Sequence, residues 1–319
     1  MWLRRERFTM ANPCHRSSRP VTGEVITRRG VRRRLFRTFA AALVLGAWLG
    51  SSTAGAQPTP QPSPSPQSDP CGGPGRLLAT ANRPTVGYSA CAVQQHTLVA
   101  ELGYQNQVTG TASTGSVRSQ VPQAFIRLGV LPRFEIDING PNYEATRTFG
   151  MRRPDVVTWG VADYGVGFKY ELPPSRRWTV AFDGLYTGPN GSAFLTAGGA
   201  TLTGNFDASV SLSPATSIGT TIAFSSTSGY AGNLHGQYGT TTPSIVIATQ
   251  IPHYYQFYAE YVLESKVSLD RGDRAYTDFG VQKLLGPSTE VDVEYGHAFT
   301  GIPSLQFDYI GAGLVVQLR

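Results

Sequence analysis

The sequence predicts an all-β fold, an up-and-down antiparallel transmembrane β-barrel of about twelve strands. Three observations carry this expectation. From His96 to the C-terminus, apolar and polar residues alternate with a period of two, as in strands with one oily and one wet face. The breaks between alternating runs are short and long by turns, matching tight periplasmic turns and longer outer loops. An export signal stands ahead of them.

The chain has 319 residues and a formal net charge of +6, unevenly spread. Residues 1–56 hold 11 of the 27 Lys and Arg and 2 of the 21 acids, leaving 16 bases against 19 acids, a net of −3, in the remainder. The basic balance belongs to the leader, so no nucleic-acid partner is expected. Within the leader, RGVRRRLFR is a positive segment, TFAAALVLGAWLG an apolar one and SSTAGA a small-residue cleavage pattern before Gln57. The apolar run is shorter than the ~20 residues of a bilayer-spanning helix. Cleavage is expected near Ala56, with the general secretory route delivering the chain to the outer membrane of a diderm bacterium. Export signals run ~15–30 residues, so residues 1–30 are surplus, and one reading starts translation at Val31.

Residues 57–95 form a linker and preamble. QPTPQPSPSPQSDP has no apolar residues for a core and should be extended and solvated. Cys14 departs with the leader, leaving Cys71 and Cys91. In an oxidising periplasm these read as a disulfide closing a small loop, with two free thiols as the alternative. Two cysteines without paired histidines fall short of a zinc site.

The barrel is expected over 96–319. Its runs are HTLVAELGYQNQV, AFIRLGV, FEIDIN, GVADYGVGFKYEL, WTVAFDGLY, NFDASVSLS, SIGTTIAFS, SIVIATQI, YQFYAEYVLE, AYTDFGVQKLL, EVDVEYGHAF and LQFDYIGAGLVVQL. Long breaks at 109–119, 141–156, 188–204, 225–243 and 265–274 alternate with LPR, PPSRR, PAT, PHY and GPST. An even strand number returns both ends of the barrel to the periplasmic side. In hydrocarbon every backbone polar group needs a partner, so such a sheet must close on itself.

The oily face carries Tyr104, Phe134, Tyr170, Trp178, Tyr186, Phe224, Tyr255, Phe257 and Phe299 near strand ends, candidates for interfacial girdles. The wet face is charged. Lumen-wall candidates are Glu101, Arg127, Glu135, Asp137, Asp163, Lys169, Asp183, Asp207, Glu260 and Asp292, joined by Asp278, Glu290, Glu294 and Asp308. Pairing across LPR sets Arg127 opposite Asp137, and pairing across PPSRR brings Lys169 near Asp183, which predicts cross-strand ion pairs. These residues either fill the wall or line a pathway. Acids outnumber bases, so an aqueous pore would prefer cations. Lys283 falls on the oily parity, by snorkelling at the periplasmic rim or through a bulge. A second bulge is expected near Tyr309-Ile310, turning Gly311 and Gly313 inward.

No catalytic, cofactor or metal site is expected. Neither G-x-S-x-G nor H-E-x-x-H is present. His297 has lipid-facing parity near an outer strand end, but no serine in a nucleophile context accompanies it.

VPQAFIRLGVLPRFEIDI, followed by WGVADYGVGFKYELPPSRRWTVAF, resembles the outer-membrane transporter family named for the phenol meta-degradation pathway. The family's R-x-G-[VL] strand, G-x-x-D and G-x-K-Y fall at Arg127, Gly129 and Val130, at Gly160 and Asp163, and at Gly167, Lys169 and Tyr170. TDFGVQKLL, EVDVEYGHAF and FDYIGAGLVVQL resemble its closing strands, so the resemblance spans 97–319. It implies an outer-membrane barrel that moves hydrophobic or aromatic compounds. Such barrels commonly finish on an aromatic residue read by the barrel-assembly machinery, whereas this sequence finishes Leu318-Arg319. The expected partners are outer-membrane lipid, the barrel-assembly machinery and a small-molecule solute. The expected function is a passive channel or transporter for small molecules. The alternative is a structural or adhesion barrel acting through its outer loops, its lumen plugged by side chains or by the N-terminal segment. A barrel-embedded lipid hydrolase is the third reading.

Overall fold

The computed structural model describes residues 70–318, apart from 74, 112, 151, 152, 174 and 301. The expected leader at 1–56 and the Pro-rich linker at 57–69 lie outside the described residues. Twelve antiparallel strands close into one ring. They are β1 (Leu98–Gly110), β2 (Gly115–Gln120, continued by Phe125–Leu131), β3 (Phe134–Asn139, continued by Tyr143–Gly150) and β4 (Arg153–Val161, continued by Gly165–Glu171). Then follow β5 (Trp178–Thr187), β6 (Thr201–Ser211), β7 (Thr216–Ala231), β8 (Leu234–Ile251), β9 (Tyr255–Glu264), β10 (Arg274–Gly286), β11 (Thr289–Phe299) and β12 (Phe307–Leu318). Each strand pairs with its sequence neighbours, and β12 returns to β1 in register from Leu98↔Leu318 to Thr109↔Phe307. The ring therefore has no free margin for a lipid-exposed backbone to occupy.

The burial pattern inverts that of a water-soluble protein. Ile136, Ile138, Val166, Phe168, Phe182, Ile245, Phe257 and Val293 lie exposed on the outside, while Glu101, Arg127, Glu135 and Lys169 have no solvent exposure at all. Such a belt suits hydrocarbon, and an acid or base placed on it would cost up to ~2–4 kcal/mol at mid-depth.

Three of the expected outer loops turn out to be strand. Residues 115–120, 143–150 and 225–243 continue β2, β3, β7 and β8 well past the apolar alternation, so the breaks shrink to tight turns. Their Ser, Thr, Gly and Gln residues carry no hydrophobic period, because a ribbon standing clear of the membrane needs none. Genuine loops remain at 188–200 and 265–273.

At one level β2, β3 and β4 are each interrupted, at 121–124, 140–142 and 162–164. Pro122 and Pro141 supply no N–H to a ladder there. Substitute bonds bridge the gap: Gly103 N and O pair with Gln123, Gly140 N donates to Ala124 O, and Ala124 N donates to the Asn142 side chain at 2.7 Å. One inward parity is exchanged for the other. Below the interruption Arg127, Glu135, Asp137 and Lys169 face in; above it Arg118, Gln120, Glu144 and Thr146 do.

The last strand holds a single phase, without the expected bulge. Phe307 and Tyr309 point inward together with Gly311 and Gly313, so Asp308 lies outside rather than on the lumen wall. Tyr309 fits indoors because its hydroxyl donates to Asp278 at 2.7 Å. Lys283 is outward, its Nζ 3.8 Å from the Tyr255 ring centroid and bonded to His253 O at the rim; the register against β9 is regular there, and that against β11 shifts just beyond it, between Leu284 and Gly286.

The plugged lumen as candidate functional site

The lumen holds the chain's own N-terminal segment. Residues 70–97 enter it, joined by a disulfide between Cys71 and Cys91 with a Cα–Cα distance of 5.5 Å. A short helix, α1 (Arg76–Thr80), turns Leu77 and Leu78 onto Val93, Val99, Leu284 and Val315. The wall partners lie at the end of the barrel where β1 starts and β12 ends, so the foot of the plug is apolar and its upper part polar.

The upper part is held by carboxylates that reach from the wall to plug amides. Glu101 on β1 accepts from Asn82 N at 3.1 Å and Arg83 N at 3.0 Å. Glu260 on β9 accepts from Val86 N at 2.7 Å and Gly87 N at 2.8 Å. Glu135 accepts from Val93 N, Glu171 from Ala92 N at 2.8 Å, and Thr221 from Tyr88 N at 3.0 Å. Glycine at 87 allows this close approach, since a Cβ there would lie 2.5 Å from Ser244 Oγ and 2.9 Å from Glu260 Oε1 and something would have to shift. Each charge-assisted bond of this kind is worth roughly 1.5–3 kcal/mol. Together they replace the backbone ladder that the plug lacks.

The wall bases serve the plug as well. Arg127 bonds Glu101 at 3.1 Å and Glu135 at 2.7 Å, and also donates to Thr80 O and Cys91 O. Lys169 donates to Ser89 O at 2.6 Å and lies 5.3 Å from the Tyr88 ring centroid. The expected registers are present, Arg127↔Asp137 and Lys169↔Asp183, but neither is an ion pair. Arg127 turns instead to the diagonal wall acids Glu101 and Glu135 while also reaching plug carbonyls, and Lys169 turns to the plug. Asp137, Asp183 and Asp207 are buried beside this region, Asp183 bonded to Asn205 at 2.6 Å and Asp207 to Thr221 at 2.6 Å. Burial, followed by Asp183 and Asp137, pushes the Tyr88 phenol well above its ordinary value, so it stays protonated.

Arg83, in the plug, was not among the wall candidates. Its guanidinium donates to Asp292 at 3.3 and 3.4 Å, to Glu294 at 3.4 Å and to Gln123 at 2.8 Å. Burial works against its charge, but Asp292, Glu294 and Glu101 outweigh that and raise its pKa. One signal could have found it. Residues 71–95 contain two arginines and no acid, the complement of an acid-rich interior.

Asp163 is apart from the others. It sits in the interruption of β4, half-buried, and fastens the 188–200 loop by accepting from Gly191 N, Thr196 Oγ1 and Ala197 N. Above the plug the lumen is a polar vestibule of half-exposed side chains, among them Gln105, Gln120, Thr203, Ser225 and Thr242. One flank differs: Val262, Tyr276, Ala298, Phe307 and Tyr309 cluster on β9–β12, and Arg274 stacks 4.6 Å from Phe307. On the outer surface His297 bonds Asp308 at 2.8 Å, and Asp308 also accepts from Tyr295.

No family model matches the chain, and no curated protein matches it. Among solved structures it resembles an outer membrane channel from Pseudomonas putida F1, with a TM-score of 0.54 at 11% identity over 74% of this chain and 100% of that one. The NanC porin aligns with a TM-score of 0.46 at 14% identity, over 69% of this chain and 100% of that one. The CymD monoaromatic hydrocarbon channel aligns at 0.42 and 10% identity, over 70% and 88%. At such identities the likeness is one of fold. The class that the fold and interior define is a plugged, closed β-barrel of the outer-membrane kind.

Proposed function

We propose that this barrel lies in an outer membrane and acts as a channel for small molecules, with residues 70–97 as a built-in gate. The observation that carries the reading is the partition of the lumen. A polar, half-exposed vestibule leads inward to a cross-section spanned by the plug, whose contacts are hydrogen bonds and ion pairs rather than a continuous apolar core. A purely structural barrel gains nothing from a funnel that ends on a polar stopper. The acid excess of the wall favours cations over anions in any passage past it. Hydrophobic or aromatic cargo is supported by the resemblance to the phenol meta-degradation family; the Tyr276–Phe307 cluster is itself buried. No enzymatic role is assigned.

The test is conductance of reconstituted full-length protein in planar bilayers, with a variant lacking residues 70–95. Low conductance in the intact protein and a large cation-selective rise in the variant support the reading. A variant that folds, by heat-dependent mobility in SDS, yet conducts no more than the intact protein would leave the structural or adhesion role as the better account.

A further inference from the structure

The seat of Arg83 is shaped for its cargo. Gly103 on β1 and Gly313 on β12 are register partners, and both face the guanidinium. A Cβ at 103 would lie 2.1 Å from Arg83 Nη1, and one at 313 would lie 2.3 Å from Nε. The wall is cut away on both sides of the seam, leaving a slot for a planar cation. Alongside, on β11, stand Glu290, Asp292 and Glu294, on alternate positions about 6.8 Å apart per step, with Asp292 the register partner of Gly313 and Glu294 that of Gly311.

These three carboxylates face one guanidinium. Arg83 engages Asp292 and Glu294. Glu290 is fully buried next to them, and neither of its oxygens has a hydrogen-bond donor among the described residues. Among the described residues the three carboxylates do not group as metal ligands. Carboxylates strung along a strand do not converge on a point; they suit an organic cation that passes from one to the next. Gln123 joins the slot to the vestibule, bonding Arg83 on one side and Gln105 and Gln120 on the other.

We propose that the β11 stripe is a recognition track for small solutes bearing a guanidinium or ammonium group, and that Arg83 rests in it as a tethered stand-in for them. A solute arriving from the vestibule competes for Asp292 and Glu294, and the Arg83 side chain swings away. The plug backbone stays, clamped by Glu101 and Glu260, and the vacated slot is bounded by Gly103, Gly311 and Gly313. The proposal deepens the channel reading and rests on it.

Full-length protein in planar bilayers tests it, with agmatine as the guanidinium probe and a neutral urea-bearing analogue of equal length as control. Arg83→Gln should raise cation-selective conductance about tenfold, equivalent to ~1.4 kcal/mol in the slot's occupancy. Wild type should respond to agmatine and not to the analogue. The response should vanish in Asp292→Asn/Glu294→Gln, with folding verified by heat-dependent mobility. A conducting wild type indifferent to agmatine, or an Arg83→Gln variant conducting like wild type, would overturn the track and leave the channel reading intact. If no form conducts, the channel reading fails, and calorimetry of agmatine on the detergent-solubilised protein decides the track alone. Binding lost in the double variant sustains it; absence of binding in wild type refutes it.

Discussion

Replacing Arg127 with Met should loosen plug and barrel together. The guanidinium is fully buried and makes four contacts, to Glu101, Glu135, Thr80 O and Cys91 O. At roughly 1.5–3 kcal/mol each, the gross loss is about 6–12 kcal/mol. The net loss is smaller, because Glu101 keeps the amides of Asn82 and Arg83 and Glu135 keeps that of Val93. Breaking a buried ion pair by removing one partner costs about 3–5 kcal/mol, and that is the expected value. Urea titration of the folded fraction, read by heat-dependent gel mobility, measures it. Arg127→Met/Glu135→Gln should cost less than the sum of its parts, since the second change neutralises one stranded carboxylate. A single variant within about 1 kcal/mol of wild type, on the scale of an exposed pair, would mean that the plug does not occupy this position.

Three further outcomes follow from the same geometry. Gly87→Ala places a methyl against Ser244 and Glu260, so the plug should shift at a cost of ~1–3 kcal/mol and its segment become cleavable by protease while the barrel stays folded. Cys71→Ser/Cys91→Ser frees a loop of 20 residues' separation, worth ~3 kcal/mol of chain entropy; protease access to residues 76–91 should rise with barrel mobility unchanged. Val166→Arg, on the oily belt, should cost ~2–4 kcal/mol in lipid, and an unaffected folding free energy in vesicles would contradict the assigned outer face.

The sequence made the ring legible because lipid and lumen impose opposite demands on successive side chains. Arg127, Glu135 and Asp137 could be placed by parity alone. Legibility failed where a second constraint intervened. The parity exchange in β2–β4 hid their upper halves, since Arg118 and Glu144 sit on positions that the lower phase assigns to lipid. Phe307 and Tyr309 looked misplaced because a large aromatic indoors requires a partner such as Asp278 that lies two strands away. Ion pairing was misjudged because the direct register partner is not the only acid within reach: Arg127 takes the diagonal wall acids Glu101 and Glu135, and Lys169 turns to the Ser89 carbonyl of the threaded segment. The acid-free stretch at 71–95 was the one visible hint of that segment.

The Arg83 slot is built half from β1 and half from β12, the first and last staves to be made. Its two glycines meet only when the seam shuts, long after the arginine has left the ribosome. The slot is therefore whole only in the closed ring, and the arginine that fills it sits astride the joint. A cork seated across the seam fastens the first stave to the last ones, so whatever loosens it also loosens the hoop at its one joint.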